Sequence, residues 1–309
     1  MPARLVLTAI SIAGLATAAS PLSRTADAAA QLSVVTSTTD LYDIAKEVGG
    51  NRISATHIGE GYQDPHFIEA KPSFVLQLRK ADVWAFVGLD LEAGWMPLLL
   101  QGARNPKLRP GQPGYVDISK VIPVLDVARG NVDRSQGDVH PLGNPHYWLD
   151  PENARRIAAQ FRQTFAQLDP KNAEFYAANA KAFTQRLDAA ERSWQSALAR
   201  IKGKPVVAYH TSWRYFAGYT GMNIVGFMEP KPGVPPAPSH IAGLIQTMQR
   251  TGAKVIIIEP FYDRKMADFV ASKTGAKVLV LPPSVGGAKG LNDYIKLMTS
   301  DIQQLAAAL

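Results

Sequence analysis

Between Pro151 and about Arg200 no segment reads as a strand, and this one run limits what the chain can fold into. On either side of it, short apolar segments alternate with helical ones, the pattern of βαβ units in mostly parallel sheets. The run itself holds two helices. The first spans Pro151 to Leu168 and ends at Asp169-Pro170. The second reaches about Arg200 and carries Phe175, Tyr176, Ala180, Phe183, Leu187, Ala190, Trp194 and Leu198, mostly three or four residues apart. At about 1.5 Å per residue it measures roughly 46 Å, more than a single small lobe requires. The fold class that follows is α/β: two βα-rich lobes joined by one long spine helix. A hairpin of the long helix with the preceding one is the alternative arrangement.

Strands are expected at Leu32–Thr36, Arg52–Ile58, Asp82–Gly88 and Tyr115–Ile118, then at Pro205–Tyr209, Asn223–Phe227, Lys254–Ile258 and Ala276–Leu281. Helices are expected from Thr38 or Thr39 to Val48, from Pro72 to Lys80, from Leu91 to Ala103 and from Trp213 to Tyr219. Three more follow: one capped by Ser239 and ending near Thr251, one over Arg264–Thr274, and a last one from about Asn292. The domain reading is a leader over 1–30, a first lobe over 31–168, a linking helix over 169–202 and a second lobe over 203–309. Residues 129–143, polar and rich in Gly and Asp, read as a mobile surface loop.

Composition decides a few further points. Arg4 followed by the short apolar stretch Leu5–Ala19, with Ala28-Ala29-Ala30 as a cleavage site, reads as a signal peptide and places the mature chain in the periplasm. The 309 residues include no cysteine, which removes disulfides, thiolate metal sites, cysteine nucleophiles and a lipidated N-terminal cysteine. The formal charge of +7 comes from scattered lysines and arginines rather than a basic stripe, so no nucleic-acid role is expected.

The histidines carry the chemistry. His146 stands in Gly143-Asn144-Pro145-His146-Tyr147-Trp148-Leu149-Asp150-Pro151-Glu152-Asn153, between two prolines and ahead of a helix that Asp150 caps. Alone, such a histidine usually only decorates a helix start. Three histidines, however, follow strands: His66 the second, His146 the fourth and His210 the fifth, with Glu259 after the seventh. Ligands in open α/β sheets bind beyond the carboxyl ends of the strands. If the two sheets face one another there, these side chains meet in the cleft between lobes.

Asp64-Pro65-His66, the block from Asn144 to Asn153, Ala208-Tyr209-His210 and Ile258-Glu259-Pro260 together resemble the receptors of zinc and manganese ABC importers, the cluster A-I solute-binding proteins. The resemblance runs through nearly the whole chain after the leader. It implies two α/β lobes around a long helix, a metal held by His66, His146 and His210, and a monomer that hands its ion to an ABC permease of the inner membrane. Two departures stand out. Many members carry an aspartate ligand after the last strand, where this chain reads Leu281-Pro282-Pro283-Ser284. Glu259 is then the expected fourth ligand, bound directly or orienting a histidine, with water as the other option. Where zinc receptors often carry a His-rich loop, only Asp138-Val139-His140 remains, and His140 is read as a solvated loop residue rather than a collecting ligand. His57 and His240 are given no role.

Three imidazoles with at most one carboxylate favour Zn²⁺ over Mn²⁺. Two other functions compete with metal delivery. A secreted zinc hydrolase would also use three histidines and a water, with Glu259 as base, but no HExxH motif is present. A receptor for a chelated or organic ligand would use Trp148, Trp213, Tyr209 and Phe261 as stacking surfaces, which otherwise fill the seam between lobes.

Overall fold

Each half of the chain pairs its strands in the same way. The first half contains β1 (Leu32–Thr36), α1 (Thr39–Gly49), β2 (Ile53–His57), α2 (Pro72–Lys80), β3 (Val83–Phe86), α3 (Met96–Ala103) and β4 (Tyr115–Asp117). Its sheet has the order β2-β1-β3-β4, all parallel. After the long helical run come β5 (Pro205–Ala208), α6 (Arg214–Thr220), β6 (Asn223–Phe227), α7 (Pro238–Thr251), β7 (Val255–Ile258), α8 (Lys265–Thr274), β8 (Lys277–Val280) and α9 (Tyr294–Ala308). The second sheet repeats the order as β6-β5-β7-β8, again parallel. The computed structural model describes residues 1–3, 31–128, 130, 140–231 and 233–309. Residues 4–30 of the expected signal segment lie outside them, as do 129 and 131–139 of the expected mobile loop. Among the described residues no helix is long and apolar enough to cross a membrane.

Burial follows position. The inner strands β3 and β7 are buried at every residue, because helices cover both faces. In the edge strand β2 only Ile53 is buried, and exposed Ser54 and Thr56 alternate with half-buried Ala55 and His57. In each sheet the chain steps from the first strand to one side and then crosses to the other. The order therefore reverses beside β1 and beside β5, where a crevice opens beyond the strand ends.

The strandless run becomes α4 (Pro151–Leu168) and α5 (Ala173–Ile201), separated by a short 3-10 turn over Pro170–Asn172. The 29 residues of α5 reach roughly 43 Å. The two expected arrangements turn out to coexist. The long helix packs along α4 as a hairpin, and it also lies against α1 from the first half and α9 from the end of the chain. Phe161, Phe165, Tyr176, Phe183 and Trp194 fill these seams and are at most 1% exposed.

Several elements start elsewhere than expected. The helix assigned to Leu91–Ala103 begins only at Met96, with Pro97 in its first turn. Residues before it form turns, in which Leu89 and Asp90 take left-handed conformations. Ser239 does not cap α7, because Pro238 already occupies the first turn and Ala237 is the flanking residue. The last helix starts at Tyr294, where the Asp293 side chain accepts from the Lys296 N–H. Thr38, rather than Thr39, caps α1 by accepting from the Leu41 N–H.

Polar groups tie the end of the chain to α1. The Val285 N–H donates to Asp40 at 2.9 Å and the Tyr294 N–H to Asp43 at 2.8 Å. The loop that carries His66 lies backbone to backbone on the turn after β8. A Cβ placed on Gly61 would stand 1.9 Å from the Val285 carbonyl oxygen, so only glycine fits there.

Candidate metal centre

His66, His146 and His210 come together. One ring nitrogen from each lies within 4.8 Å of the other two. Their ring centroids are 5.2 to 5.5 Å apart, and their exposures are 5%, 2% and 2%. His66 arrives on the loop after β2, and His210 stands two residues past the end of β5, at the crevice of the second sheet. His146 precedes the 3-10 turn Tyr147–Leu149, which leads into α4 through Asp150, whose side chain accepts from the Glu152 N–H. That turn is nailed down. Tyr147 donates its hydroxyl to the Val87 carbonyl, the Trp148 indole N–H to the Pro283 carbonyl, and Tyr294 its hydroxyl to the Trp148 carbonyl. The two tryptophans considered as ligand-stacking surfaces are core residues: Trp148 and Trp213 are each fully buried.

Each of the three rings has one nitrogen tied to an acceptor. His66 Nδ1 is 2.6 Å from Asp64 Oδ1, His146 Nδ1 is 3.0 Å from Asn144 Oδ1, and His210 Nδ1 is 2.7 Å from Glu229 Oε2. The Asn144 amide is itself oriented, because its Nδ2 donates to the Thr211 carbonyl at 2.9 Å. An acceptor at Nδ1 puts the proton there and leaves Nε2 as a lone pair. One nitrogen of each ring lies within 4.8 Å of the other two, and Nε2 is the one left to ligate. Among the described residues His210 Nε2 is buried and has no hydrogen-bond partner, a costly state unless a Lewis acid completes it. Outer acceptors of this kind hold metal-ligating imidazoles in place and raise their basicity. The donor set therefore fits a divalent ion such as zinc.

The electrostatics agree. Burial, reinforced by His210, His66 and His140, holds the His146 imidazole well below 6.5, so it stays neutral and able to ligate in weak acid. Burial alone would raise the Asp64 carboxyl, but its hydrogen bond to His66 keeps it lower than usual and charged.

Glu259 lies at the end of β7, 1% exposed, and burial pushes its carboxyl up to about 8 against the opposing pull of Ser212. It is not among the donors that converge, and among the described residues neither oxygen accepts from a histidine. The histidine-orienting role belongs instead to Glu229, just past β6. The turn after β8 carries no carboxylate and spends its polar groups on Trp148 and α1. His140 departs from its reading as a solvated loop histidine. Its Nε2 is 3.1 Å from His66 Nε2 and its Nδ1 is 2.9 Å from the Leu89 carbonyl oxygen. His57 and His240 bond to the Gly59 and Phe227 carbonyls.

The outer acceptors were not singled out from the sequence. Two had a local signal: Asp64 and Asn144 each stand two residues before their histidine, across a proline. Glu229 lies 19 residues from His210 and reaches it only through the pairing of β5 with β6. Truncating it tests the arrangement. Glu229→Ala is expected to weaken zinc binding about 10- to 100-fold, and Glu229→Gln less, because the amide oxygen still accepts. Competition against a fluorescent chelator measures both, and an unchanged affinity in Glu229→Ala would contradict the orienting role.

Residues 34–308 match the protein family described as ZnuA: Zinc-uptake complex component A periplasmic. Among curated proteins, the chain is 22% identical over 279 residues to the zinc-binding lipoprotein AdcA of Streptococcus pneumoniae, covering 89% of this chain but only 55% of AdcA. It is 25% identical over 283 residues to the manganese-binding lipoprotein MntA of Halalkalibacterium halodurans, covering 90% of this chain and 88% of MntA. Among solved structures, a crystal structure of ZnuA superposes with a TM-score of 0.74 at 23% identity, over 90% of this chain and 99% of that one. The last likeness speaks to the fold: two parallel sheets with a long helix between them.

Proposed function

The chain belongs to the ZnuA family of periplasmic zinc-uptake components, and from that premise we propose that it captures a divalent ion, zinc in the first place, and delivers it to an ABC permease of the inner membrane. The ion is cargo and no residue is assigned a catalytic part. His66, His146 and His210 are its ligands. Residues 31–168 and 203–309 act as two lobes about the linking segment 169–202. The segment up to Ala30 directs export and is removed, leaving a monomer free in the periplasm.

One observation carries this reading: three buried imidazoles, each with Nδ1 held by an acceptor, bring one ring nitrogen apiece within 4.8 Å of the other two. Imidazole donors suit zinc, whereas manganese prefers carboxylate oxygens. AdcA is a zinc-binding and MntA a manganese-binding protein by name, so relatives take either ion. Titration of metal-stripped protein in a calorimeter is expected to show one zinc per chain, with manganese bound more weakly at the same site. Tight manganese binding equal to that of zinc would overturn the choice of ion, and no stoichiometric binding of either would overturn the receptor reading.

A further inference from the structure

We propose that His140 is a fourth ligand of this centre, so that the ion is held by four imidazoles and needs no carboxylate. The inference rests on the receptor reading above and adds to it a residue of this chain.

A backbone carbonyl only accepts, so the 2.9 Å contact of His140 Nδ1 with the Leu89 oxygen places a proton on Nδ1, and in the neutral ring that ligates metal the lone pair is then on Nε2. His66 is in the same state, because its Nδ1 faces the Asp64 carboxylate at 2.6 Å. The two Nε2 atoms stand 3.1 Å apart. Two neutral imidazoles in these tautomers have no proton to share along that line, and their lone pairs repel. A cation between them removes the conflict. With Zn–N bonds of about 2.0–2.1 Å, neighbouring donors of a tetrahedron are about 3.3 Å apart, close to the observed separation. The His66–His140 pair thus has the dimensions of one edge of a coordination polyhedron. His146 and His210 are assigned the remaining corners; their rings stand 5.3 and 5.5 Å from that of His66, and His146 stands 6.3 Å from His140, so the ion must draw the four rings together.

The carbonyl that orients His140 is itself fixed. Leu89, 9% exposed, holds a left-handed φ of 53°, a conformation that costs a non-glycine residue energy and persists only where its surroundings impose it. Glu92 imposes it here. Its buried carboxylate accepts from the Val87 N–H at 2.7 Å and the Gly88 N–H at 3.0 Å, locking the turn after β3. His140 is therefore aimed in the same way as the other three rings, by an acceptor on its far nitrogen. The turn after β8, which has no carboxylate to offer, leaves the corner for it.

X-ray absorption at the zinc edge, on protein loaded with one equivalent, tests this directly. The wild type is expected to show four imidazoles in its scattering pattern. His140→Ala is expected to show three, to keep one zinc per chain, and to lose about 10-fold or more in affinity by chelator competition. Cobalt-loaded samples should differ correspondingly in the visible d–d bands. Three imidazoles in the wild type would overturn the assignment of His140 while leaving the three-histidine centre intact. That count does not depend on the variant folding. Failure of the wild type to retain zinc at all would overturn the receptor reading and this inference together.

Discussion

Metal-stripped protein carrying His66→Ala, His146→Ala and His210→Ala together takes up no stoichiometric zinc in a calorimetric titration, where the wild type takes up one ion per chain. The expected loss is complete because these three rings are the set whose donors lie within 4.8 Å of one another, and His140 alone does not hold an ion stoichiometrically. What remains after truncation is the single imidazole of His140 and the acceptors Asp64, Asn144 and Glu229, which in the intact protein face the distal ring nitrogens. With three rings gone these acceptors stand behind an emptied space instead of around an ion. The fold should survive, because each ring lies beyond a strand end, while the core seams are filled by other residues. Circular dichroism of the triple variant checks that. Tight one-to-one binding in a folded triple variant would contradict the assignment. Protons compete for the same lone pairs, so wild-type affinity should also fall as the pH drops through the ordinary imidazole range near ~6.5. His146, held well below the ordinary imidazole value by burial and its neighbouring histidines, keeps its lone pair in weak acid.

The second large effect concerns stability. Burial pushes the Asp40 carboxyl from 3.8 up to about 7, against the Val285 N–H and the Ser284 side chain. Asp301, also fully buried, is raised well above its ordinary value by burial and then by Asp40. A carboxyl raised in the folded state contributes stability that is complete below its unfolded value, near 4, and lost as the pH rises through about 7. At about 1.4 kcal/mol per pH unit, the loss for Asp40 is on the order of 4 kcal/mol. Asp40→Asn keeps an acceptor for the Val285 N–H and removes the ionisation. In urea denaturation of metal-free protein, its gain over the wild type should be about 2 kcal/mol at pH 5 and about 4 kcal/mol at pH 8. Comparing variant with wild type at each pH also cancels His146, whose contribution has the opposite sense: lowered in the fold, it is present above about 6.5 and lost in acid. A gain that does not change with pH, or a loss at pH 8, would contradict this account of Asp40.

What could be read from the sequence was what has a local cause. Helix starts with an acceptor side chain or a proline, at Thr38, Pro72 and Asp150, stand where expected. The break at Asp169-Pro170 does too, because proline cannot continue a helix from the preceding turn. Strand-following histidines could be placed beyond the sheets, since parallel βαβ units put all such loops at one end. What escaped depends on chain segments far apart. Leu91 to Trp95 has helical composition, yet the left-handed Leu89 and Asp90 and the bonds of Glu92 to Val87 and Gly88 bend it into turns. His140 looked solvated because its neighbours in sequence are polar, while the group that fixes it, the Leu89 carbonyl, is 51 residues away. The packing of α5 was a choice between spine and hairpin only until α9, from the far end of the chain, came to lie on it as well.

Whether three imidazoles converge on one ion is a question of geometry, and one diffraction experiment answers it. Crystals of zinc-loaded protein, measured on both sides of the zinc absorption edge, should show a single anomalous peak about 2.0–2.1 Å from Nε2 of His66, His146 and His210. A peak bound elsewhere on the chain, or these three rings turned from the ion with Nε2 bonded to protein instead, would contradict it.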